Sequence, residues 1–445
     1  MHTPPSQSGE AAPARPGLEP EYFQLVQAAV YHADGMWGEA TFDLYVKEAP
    51  PDHGYLVAAG IEPAIQAVLD TRFAPEFTAW LRQQPHFEGI GARFFEDLEG
   101  FAFEGDILAV PEGTVVFPGE PLLRLTAPLP QAGLFEAGLI QLVSHATGVA
   151  TRAARMVSAA RGRPVLDFGG RRPTGPRSAR AAARAAWIGG VAGTTNAVAA
   201  AELGLPPVGI VGDAIAAAYG SHRTAWEVLR QHAPRALELN RLAGSAGEAA
   251  KAMAHLGGEL RTVRVDDGDL VGATTALRRA LDKAGLKRAR ILGSGGLDEV
   301  AIEQLVRAGA PVDELGVGGA LTHGPAPATS YRIAELVRGI SPEPVTGPWA
   351  APWPGRKNVV RLADRDVVCE ELEAPVIAAG GGRLLLQPWV LGGQRVRTAE
   401  PLAEARVRRA EEVMALPDGV RRLVGPDAWP VVPSERLVTL RGRAG

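Results

Sequence analysis

The chain has 445 residues, 46% of them hydrophobic and 22% charged, which is ordinary for a folded globular protein of roughly two or three domains. Its 46 basic and 50 acidic residues give a formal net charge of −4, so a general nucleic-acid binder with a clustered basic excess is excluded. The single cysteine, Cys369, excludes an internal disulfide and a thiolate metal site, and the nine scattered histidines form no zinc motif. Nothing in this composition needs an oxidising compartment, and we expect a cytoplasmic protein.

The first predicted feature in chain order is a Pro-, Ser-, Gly- and Ala-rich tail over residues 1–21. It lacks the apolar core of a signal peptide, and its composition predicts disorder. Between residues 22 and 130, Ala40–Val46 favours a strand and Tyr55–Leu69 favours a helix. Pro and Gly turns then separate three short β-type runs: Ile107–Val110, Gly113–Phe117 and Leu122–Leu125.

Residues 131–340 alternate helical segments with short apolar runs. Ala-, Leu- and Arg-rich patterns such as Ala273–Ala284 and Asp298–Arg307 favour helices. Between such patterns lie five predicted strands: Pro164–Phe168, Val208–Val211, Leu260–Val265, Ala289–Leu292 and Glu314–Val317. This alternation predicts an α/β fold with an irregular β/α barrel. The apolar stretch Ala185–Leu205 carries polar residues such as Asn196 and Glu202, so we predict a buried helix there and no membrane partner.

Residues 341–445 open with a Pro-rich stretch that ends at Gly355. The β-like runs Asn358–Leu362 and Arg383–Val390 follow, and a charged helix is predicted over Glu400–Ala415. We expect this zone to pack with residues 22–130 as a second, α+β domain beside the barrel.

Polar and glycine residues follow each of the five predicted strands of the barrel. In a β/α barrel, the loops at the carboxyl ends of the strands hold the active site. These loops are Gly169–Gly175, Gly212-Asp213, Asp266–Asp269, Gly293–Gly296 and Gly316–Gly319. The sequence therefore places the candidate site in them.

The last two of these loops predict a phosphate site. Glycine lets the backbone turn its N–H groups toward an anion, which makes Ser294, Gly295 and Gly296, and then Gly318 and Gly319, the candidate residues. Phosphate sites in barrels often lie after the final strands. The alternative is that these glycines only permit tight turns between strand and helix.

Charged residues occupy other loops of the same face. Asp266, Asp267 and Asp269 place three carboxylates together, which could hold Mg²⁺ against a diphosphate or stabilise a cationic sugar carbon. The alternative is a solvated acidic turn. Arg171 and Arg172 offer planar, permanently charged forks suited to phosphate or carboxylate, although an arginine pair is also common on a solvated surface.

Thr194 and Asn196 lie at or near a predicted helix start. The hydroxyl and amide groups of these residues can either cap that helix or contact a ligand. The sequence alone leaves both roles open.

In these loops the sequence resembles the nicotinate phosphoribosyltransferase family, in the same order from about Glu21 to the C-terminus. The similar segments are Phe168–Pro176 (FGGRRPTGP), Gly189–Asn196 (GGVAGTTN), Val265–Leu270 (VDDGDL), Gly316–Leu321 (GVGGAL) and Pro354–Lys357 (PGRK). Because these matches are many and ordered, the chain is identified as a member of that family.

The resemblance implies a type II phosphoribosyltransferase fold and a reaction between nicotinate and 5-phosphoribosyl 1-diphosphate (PRPP) in NAD salvage. The products would be nicotinate mononucleotide and diphosphate, commonly with ATP hydrolysis. The implied 5-phosphate site is Ser294–Gly296 with Gly318–Gly319. The family also implies a homodimer in which the first domain of one chain completes the neighbour's site.

The same resemblance implies roles for the charged loops. Asp266 and Asp269 would lie near the ribose, and Asp266 and Asp267 near Mg²⁺. Arg171 and Arg172 would face the diphosphate or the nicotinate carboxylate.

Several positions depart from the family pattern. Asp213 stands where the family has the histidine that ATP phosphorylates, so we do not expect ATP coupling, although a carboxylate can in principle form an acyl phosphate. Phe23 replaces a tyrosine that stacks on the base, and a phenyl ring can stack but has no hydroxyl. Asp267 replaces the usual serine, and an acidic stretch is absent around Leu237–Ala243.

Three functions remain open on this sequence. The first is a nicotinate phosphoribosyltransferase, and the second is a paralogue that uses another pyridine carboxylate-like base. The third is a non-catalytic, nucleotide-binding relative. Asp213 favours the second function, whereas Asp266, Asp269, Arg171 and Arg172 argue against the third because they retain the diphosphate and Mg²⁺ groups.

Overall fold

The structure, a computed structural model, describes residues 17–209, 213–234, 240–241, 246–255, 261–266 and 268–443. The helices in these ranges are α1 (Tyr22–Ala33), α2 (Ile61–Asp70), α3 (Pro75–Arg82), α4 (Ala92–Glu99), α5 (Leu129–Ala132), α6 (Glu136–Ala159), α7 (Pro176–Gly189), α8 (Ala197–Leu203), α9 (Asp213–Ala218), α10 (His222–His232), α11 (Ala246–His255), α12 (Leu270–Lys283), α13 (Glu299–Arg307), α14 (Gly319–His323), α15 (Ala374–Ala379), α16 (Leu402–Ala415), α17 (Asp418–Arg421) and α18 (Glu435–Arg443). The strands are β1 (Glu39–Glu48), β2 (Leu56–Val57), β3 (Asp106–Ala109), β4 (Val115–Val116), β5 (Pro121–Pro128), β6 (Val165–Asp167), β7 (Gly193–Thr194), β8 (Asn240–Arg241), β9 (Thr262–Val265), β10 (Arg290–Ser294), β11 (Glu314–Val317), β12 (Ala328–Arg338), β13 (Ser341–Pro344), β14 (Lys357–Arg361), β15 (Asp366–Glu370), β16 (Arg383–Leu384), β17 (Gln387–Leu391), β18 (Gln394–Arg395) and β19 (Val431–Pro433).

A parallel sheet forms the barrel, and its described strands lie in the order β7-β6-β11-β10-β9-β8. Since β6 and β11 are the first and last of these strands in the chain and pair with each other, the chain runs round and returns to its start. Pro207 adds a parallel bridge to Thr194 beside β7. The predicted strand Val208–Val211 follows this bridge, and its residues 210–211 lie outside the described ranges. The predicted irregular β/α barrel is confirmed.

Helices cover the outside of this sheet, and small residues allow them to pack closely. A methyl group on Gly189 of α7 would lie only 2.4 Å from the backbone oxygen of Ala150 in α6. The prediction of one helix over Ala185–Leu205 is wrong, because Gly190 ends α7 in a left-handed conformation with φ +107° and β7 and α8 follow. None of the helices in the described ranges is long and apolar enough to cross a membrane.

A second sheet joins the N- and C-terminal zones in the strand order β13-β12-β1-β5-β3-β17-β18, and its pairs are antiparallel. The α+β domain expected from these two zones is therefore present. β12 falls within the range 131–340 that the sequence assigned to the barrel, yet it pairs with β1 in this sheet.

The helix predicted over Tyr55–Leu69 begins later than the sequence indicates. Leu56–Val57 forms a short strand paired with Val115–Val116, and the helix starts only at Ile61. Gly60 has φ +82°, a left-handed conformation that interrupts any helix through this point.

Residues 17–21 of the predicted N-terminal tail are described, and they contact the folded domain. The Leu18 N–H donates to Thr71 Oγ1 at 3.0 Å, and the Leu18 side chain lies against Gly138 of α6.

The PGRK segment connects β14 to the second sheet through ion pairs, one of which is buried. Lys357 Nζ lies 2.7 Å from Asp43 Oδ2 of β1, and both side chains are almost fully buried. Arg356 donates to Glu335 of β12 at 2.8 Å and pairs with Glu39 of β1. A lone buried charge is strongly unfavourable, so each ion requires its partner. The segment thus links the C-terminal zone to β1 and β12.

A second buried charge cluster contains two carboxyl groups. Glu120 and Asp366 are both fully buried, and burial together with the Asp366 carboxylate raises the pKa of Glu120 well above its ordinary value of 4.5. Arg361 donates to both oxygens of Asp366, at 3.0 and 2.6 Å. Arg361 also donates to Glu412 at 2.8 Å, so this guanidinium is shared among several carboxyl groups, of which Glu120 favours its protonated form.

Candidate active site

An open cleft of about 980 Å³ lies at the carboxyl ends of β6 and β7 and beside β9. The loop after β6, the N-terminus of α7, the start of α8 and the segment at Val208 form its walls, and β9 contributes one side chain. The apolar residues of the lining are Phe168, Pro173, Ala179, Val198 and Val208. The cationic residues are Arg171, Arg180 and Arg264. Such a cleft suits a ligand that is aromatic at one end and anionic at the other.

The loops that line or border this cleft touch one another. A methyl group on Gly295 would lie 3.4 Å from Asp266 Cβ, so the loops after β9 and β10 are in contact. A methyl group on Gly318 would lie 3.5 Å from the backbone oxygen of Phe168, which brings the loops after β6 and β11 together. The structure thus brings the acidic loop, the arginine loop and both glycine loops to one edge of the sheet.

Asp167 ends β6 and joins two of these loops. It is 2% exposed; its Oδ1 accepts a hydrogen bond from the Gly169 N–H and its Oδ2 accepts one from the Thr194 hydroxyl, both at 2.7 Å. Burial raises the pKa of the Asp167 carboxyl, and the two hydrogen bonds oppose that shift. The loops after β6 and β7 are fixed to each other through this carboxylate.

Thr194 and Asn196 are placed as structural groups. Thr194 is 1% exposed, and its oxygen also accepts a hydrogen bond from the Asn196 N–H at 3.1 Å. Asn196 Oδ1 accepts from the Ala199 N–H at 3.0 Å and so caps α8. Asn196 lines the cleft as well, whereas Thr194 lies beneath it.

Arg264 connects the cleft to the acidic loop and to the first glycine loop. Its Nε donates to Ser294 Oγ at 2.6 Å, and its Nη2 lies 3.1 Å from Asp266 Oδ2. The planar guanidinium can hold two partners at once in fixed geometry. Arg264 thereby links the loop after β9 to the end of β10, which pairs with β9.

The two glycine loops present backbone rather than side chains. Gly295 and Gly296 have φ +102° and +70°, a region that favours glycine. Ser294 is 1% exposed and accepts a hydrogen bond from Arg264, so it stabilises the loop from below. Apart from the neighbouring residues in the chain, no described atom lies within 4 Å of a methyl group built on Gly296 or Gly319, so space is open beside their Cα atoms.

The acidic loop combines a helix cap and an ion pair. Asp269 Oδ1 accepts a hydrogen bond from the Gly272 N–H at 2.9 Å and caps α12, while Asp266 pairs with Arg264. Asp267 lies outside the described residues. Across the described part of the chain, no group of three His, Cys, Asp or Glu side chains is arranged to hold a metal ion.

The two arginines of the loop after β6 differ in position. The exposed Arg171 lines the cleft. Arg172 is also exposed, but it does not line the cleft, and its backbone N–H donates to the Gly169 oxygen at 2.8 Å. Arg180 of α7 lines the cleft and pairs with Glu202 at 3.0 Å.

Two further predicted site residues, Phe23 and Asp213, are not seen among the described residues that line the cleft. Phe23 is 46% exposed on α1 and does not line the cleft of its own chain. Asp213 is the first residue of α9, and its side chain lies outside the described part of the structure.

Sequence reasoning missed three residues of this site. Asp167, Phe168 and Arg264 lie inside predicted strands and are not among the predicted site residues, although Phe168 begins the family-like segment Phe168–Pro176. A charged residue within a buried β-run, such as Arg264 in Thr-Val-Arg-Val, was the available signal. The Phe168 ring lies against Gly316, where a methyl group would come within 2.6 Å of it, so the glycine gives the ring its place at the cleft.

This fold and cleft define a phosphoribosyltransferase of the barrel type, and comparisons with known proteins give the family. Residues 18–144 match the family model described as nicotinate phosphoribosyltransferase (NAPRTase) N-terminal domain, and residues 149–328 match quinolinate phosphoribosyl transferase, C-terminal domain. Nicotinate phosphoribosyltransferase pncB2 of Mycobacterium tuberculosis is 33% identical over 429 residues, which cover 94% of this chain and 91% of the relative. The nicotinate phosphoribosyltransferase of Bacillus subtilis is 30% identical, over 78% of this chain and 73% of its own. The chain therefore belongs to the nicotinate phosphoribosyltransferase family.

Solved structures agree on the fold. Human nicotinic acid phosphoribosyltransferase aligns with a TM-score of 0.81 at 24% identity, over 96% of this chain and 100% of the human chain. Nicotinate-nucleotide pyrophosphorylase from Pyrococcus furiosus aligns with a TM-score of 0.73 at 24% identity, over 89% of this chain and 94% of its own. The two-domain, type II phosphoribosyltransferase fold is thus shared with both.

Proposed function

We propose that the protein transfers the 5-phosphoribosyl group of PRPP to nicotinate and so forms nicotinate mononucleotide and diphosphate in NAD salvage. The observation that carries this proposal is the meeting of two glycine loops, an acidic loop and an arginine loop at one edge of a parallel sheet. Each loop supplies one chemical group that the reaction needs: backbone N–H donors, carboxylates and guanidinium forks.

The groups have separate tasks in the transfer. The N–H groups at Gly295, Gly296 and Gly319 would bind the 5-phosphate. The pyridine ring would lie against the ring of Phe168, which lines the cleft. Arg171, exposed on the cleft wall, would bind the diphosphate or the nicotinate carboxylate.

The bond changes are limited to the anomeric carbon of the ribose. The bond from this carbon to the diphosphate oxygen breaks with its electron pair, and the unprotonated pyridine nitrogen donates a pair to form the new bond. Positive charge develops on the ribose in between, and the carboxylate of Asp266 would stabilise it. The 3.1 Å pairing with Arg264 orients that carboxylate.

The acidic loop suits Mg²⁺ when the ion is also held by the substrate. Its donors are carboxylate oxygens, which Mg²⁺ prefers, but Asp269 already caps α12, so Asp266 is the described carboxylate best placed for the ion. Diphosphate and water oxygens would complete the coordination, with Asp267 as a further ligand. Mg²⁺ held there would neutralise charge on the departing diphosphate.

ATP hydrolysis would not be coupled to this transfer, because Asp213 occupies the position of the family's phosphorylated histidine. The test is to incubate the protein with PRPP, Mg²⁺ and nicotinate, with and without ATP, and to follow diphosphate release and protein-bound phosphate. Equal rates without protein-bound phosphate would support the proposal. Faster release with ATP, together with phosphate on the protein, would contradict it.

A homodimer is the assembly that this site suggests. Phe23 and Val30 are 46% and 53% exposed and lie seven residues apart on one side of α1. In a dimer, Phe23 of the partner would stack on the base across from Phe168. Mixing Phe23→Ala and Asp266→Asn chains should then restore part of the activity that each loses alone, because one of the two sites becomes intact.

The identity of the base is tested by a panel of pyridine carboxylates under the same conditions. Release with nicotinate supports the proposed function. Release with quinolinate or another aromatic acid alone would support the second candidate, which the change at Asp213 favours. Nucleotide binding without release for any base would indicate a non-catalytic relative.

A further inference from the structure

Helix α6 carries two buried arginines one turn apart, Arg152 and Arg155. Arg152 is 3% exposed and Arg155 is 1% exposed, so neither can contact a ligand in the open cleft. A buried guanidinium is unfavourable unless its donors find partners. The partners of these two residues therefore indicate what the arginines hold in place.

Arg155 holds the helix that follows the first glycine loop. Its Nε donates to Glu299 Oε1 at 2.8 Å, and its Nη2 donates to the Leu423 oxygen at 3.0 Å. Glu299 is the first residue of α13, and α13 begins three residues after Gly296. The ion pair thus fixes the start of this helix to α6.

Arg152 holds the helix that follows the second glycine loop. Its Nε donates to the Leu321 oxygen at 2.9 Å, and its Nη1 donates to the Pro325 oxygen just beyond the end of α14. Contact is close here, since a methyl group on Gly324 would lie 2.4 Å from Arg152 Cδ. The short helix α14, which begins directly after Gly318, is thereby fixed to the same turn of α6.

The sheet alone does not fix the directions of these two loops. β10 and β11 pair in parallel, with Ser294 opposite Gly316, so the strand ends are set by hydrogen bonds. Beyond them the backbone turns through glycine, and the direction of its N–H groups depends on where α13 and α14 lie. Both helices are held by neighbouring side chains of one long helix.

We propose that Arg152 and Arg155 are positioning residues that hold the two glycine loops at the separation needed to bind one phosphate group together. This inference rests on the proposed function, which assigns these loops to the 5-phosphate of PRPP.

The test measures phosphate binding directly. Ribose 5-phosphate is titrated calorimetrically into the wild type and the Arg152→Met and Arg155→Met variants, with ribose as the ligand that lacks phosphate. We expect about tenfold weaker binding of ribose 5-phosphate in each variant, because a small displacement of the loops loses hydrogen-bond geometry. In turnover, the KM for PRPP should rise while the KM for nicotinate stays unchanged.

Arg124→Met is the matched control. Arg124 is 4% exposed and also donates to a backbone oxygen and a glutamate, those of Lys357 and Glu371, but it lies in the antiparallel sheet. Its loss should destabilise the fold without changing the affinity for ribose 5-phosphate. Arg152→Lys and Arg155→Lys keep the positive charge but lack the planar guanidinium. If a methionine variant does not fold, the affinity of the corresponding lysine variant for ribose 5-phosphate decides whether the arginine has the positioning role.

The outcomes separate this inference from the proposed function. Unchanged affinity in the folded variants at both positions, or equal weakening in Arg124→Met, would overturn the positioning role. If the wild type binds ribose 5-phosphate but does not act on nicotinate, the base assignment fails and the affinities still decide the inference. If the wild type does not bind ribose 5-phosphate, the phosphate assignment and the inference both fail.

Discussion

Arg264 is the side chain whose removal should most sharply test the proposed site. It reaches from β9 into the cleft, donates to Ser294 Oγ at 2.6 Å and pairs with Asp266 at 3.1 Å. In Arg264→Met both contacts are lost while a chain of similar length remains. The Ser294 hydroxyl, 1% exposed, loses a donor, and the Asp266 carboxylate loses the cation that orients it.

The expected loss follows from these two contacts. A hydrogen bond to a charged group contributes about 1.5–3 kcal/mol. The ion pair is partly exposed, with 15% and 24% of the two side chains accessible, so it adds about 0.5 kcal/mol after solvent screening. A combined loss of about 2–3.5 kcal/mol in the transition state corresponds to a fall of about 30- to 400-fold in kcat/KM for PRPP.

The assay is diphosphate release at varied PRPP and saturating nicotinate. Arg264→Lys keeps the charge but not the planar fork, so it should fall between Arg264→Met and the wild type. Arg279→Met is the control, because Arg279 is exposed on α12 and does not line the cleft. A kcat/KM for Arg264→Met within about threefold of wild type would refute the reasoning. It would mean that the Arg264 guanidinium stabilises the transition state by less than ~1 kcal/mol.

Three further outcomes are expected. Gly296→Ala and Gly285→Ala should both lose about 1 kcal/mol of stability in urea unfolding, because both glycines have positive φ, +70° and +78°, yet only Gly296→Ala should raise the KM for PRPP. Arg171→Ala should lower kcat/KM for PRPP about tenfold or more and Arg172→Ala less than threefold, because Arg171 lines the cleft; equal effects would contradict this placement. The pKa of Glu120 is raised in the folded protein, so protonated Glu120 stabilises the fold fully below pH 4.5, and this stabilisation is lost as pH rises toward the raised pKa. Glu120→Gln should remove this pH dependence of the free energy of unfolding, which is at most ~1.4 kcal/mol per pH unit. If the melting temperatures of wild type and variant change with pH in parallel, this effect of Glu120 is excluded.

The strand ends were predictable because glycine and charge mark them locally. Gly295 and Gly318 follow apolar runs, and a break from β-branched residues to glycine is visible in a short window of sequence. The parallel order of strands then brings such loops to one edge whatever the exact register. The glycine and arginine loops of the candidate site could therefore be placed from sequence.

Contacts between distant segments could not be placed in this way. β12 pairs with β1 although about two thirds of the chain separates them, and neither strand encodes its partner in a local pattern. The role of Asp167 could not be predicted either, because its carboxylate accepts a hydrogen bond from the Thr194 hydroxyl, which the fold brings beside it. The missed residues share this property: their roles arise from a neighbour that is far away in sequence.

The position of Asp213 in the fold bears on whether base transfer can proceed without ATP. Asp213 follows Pro207 by six residues, and Pro207 borders β7, at one edge of the described parallel sheet. The glycine loops follow β10 and β11, which β6 separates from β7, and their supports come from β9 and α6. None of the described contacts that hold these loops passes through α9. We therefore predict that a change at Asp213 leaves the glycine loops in place, and that PRPP binding and base transfer persist without phosphorylation at this position.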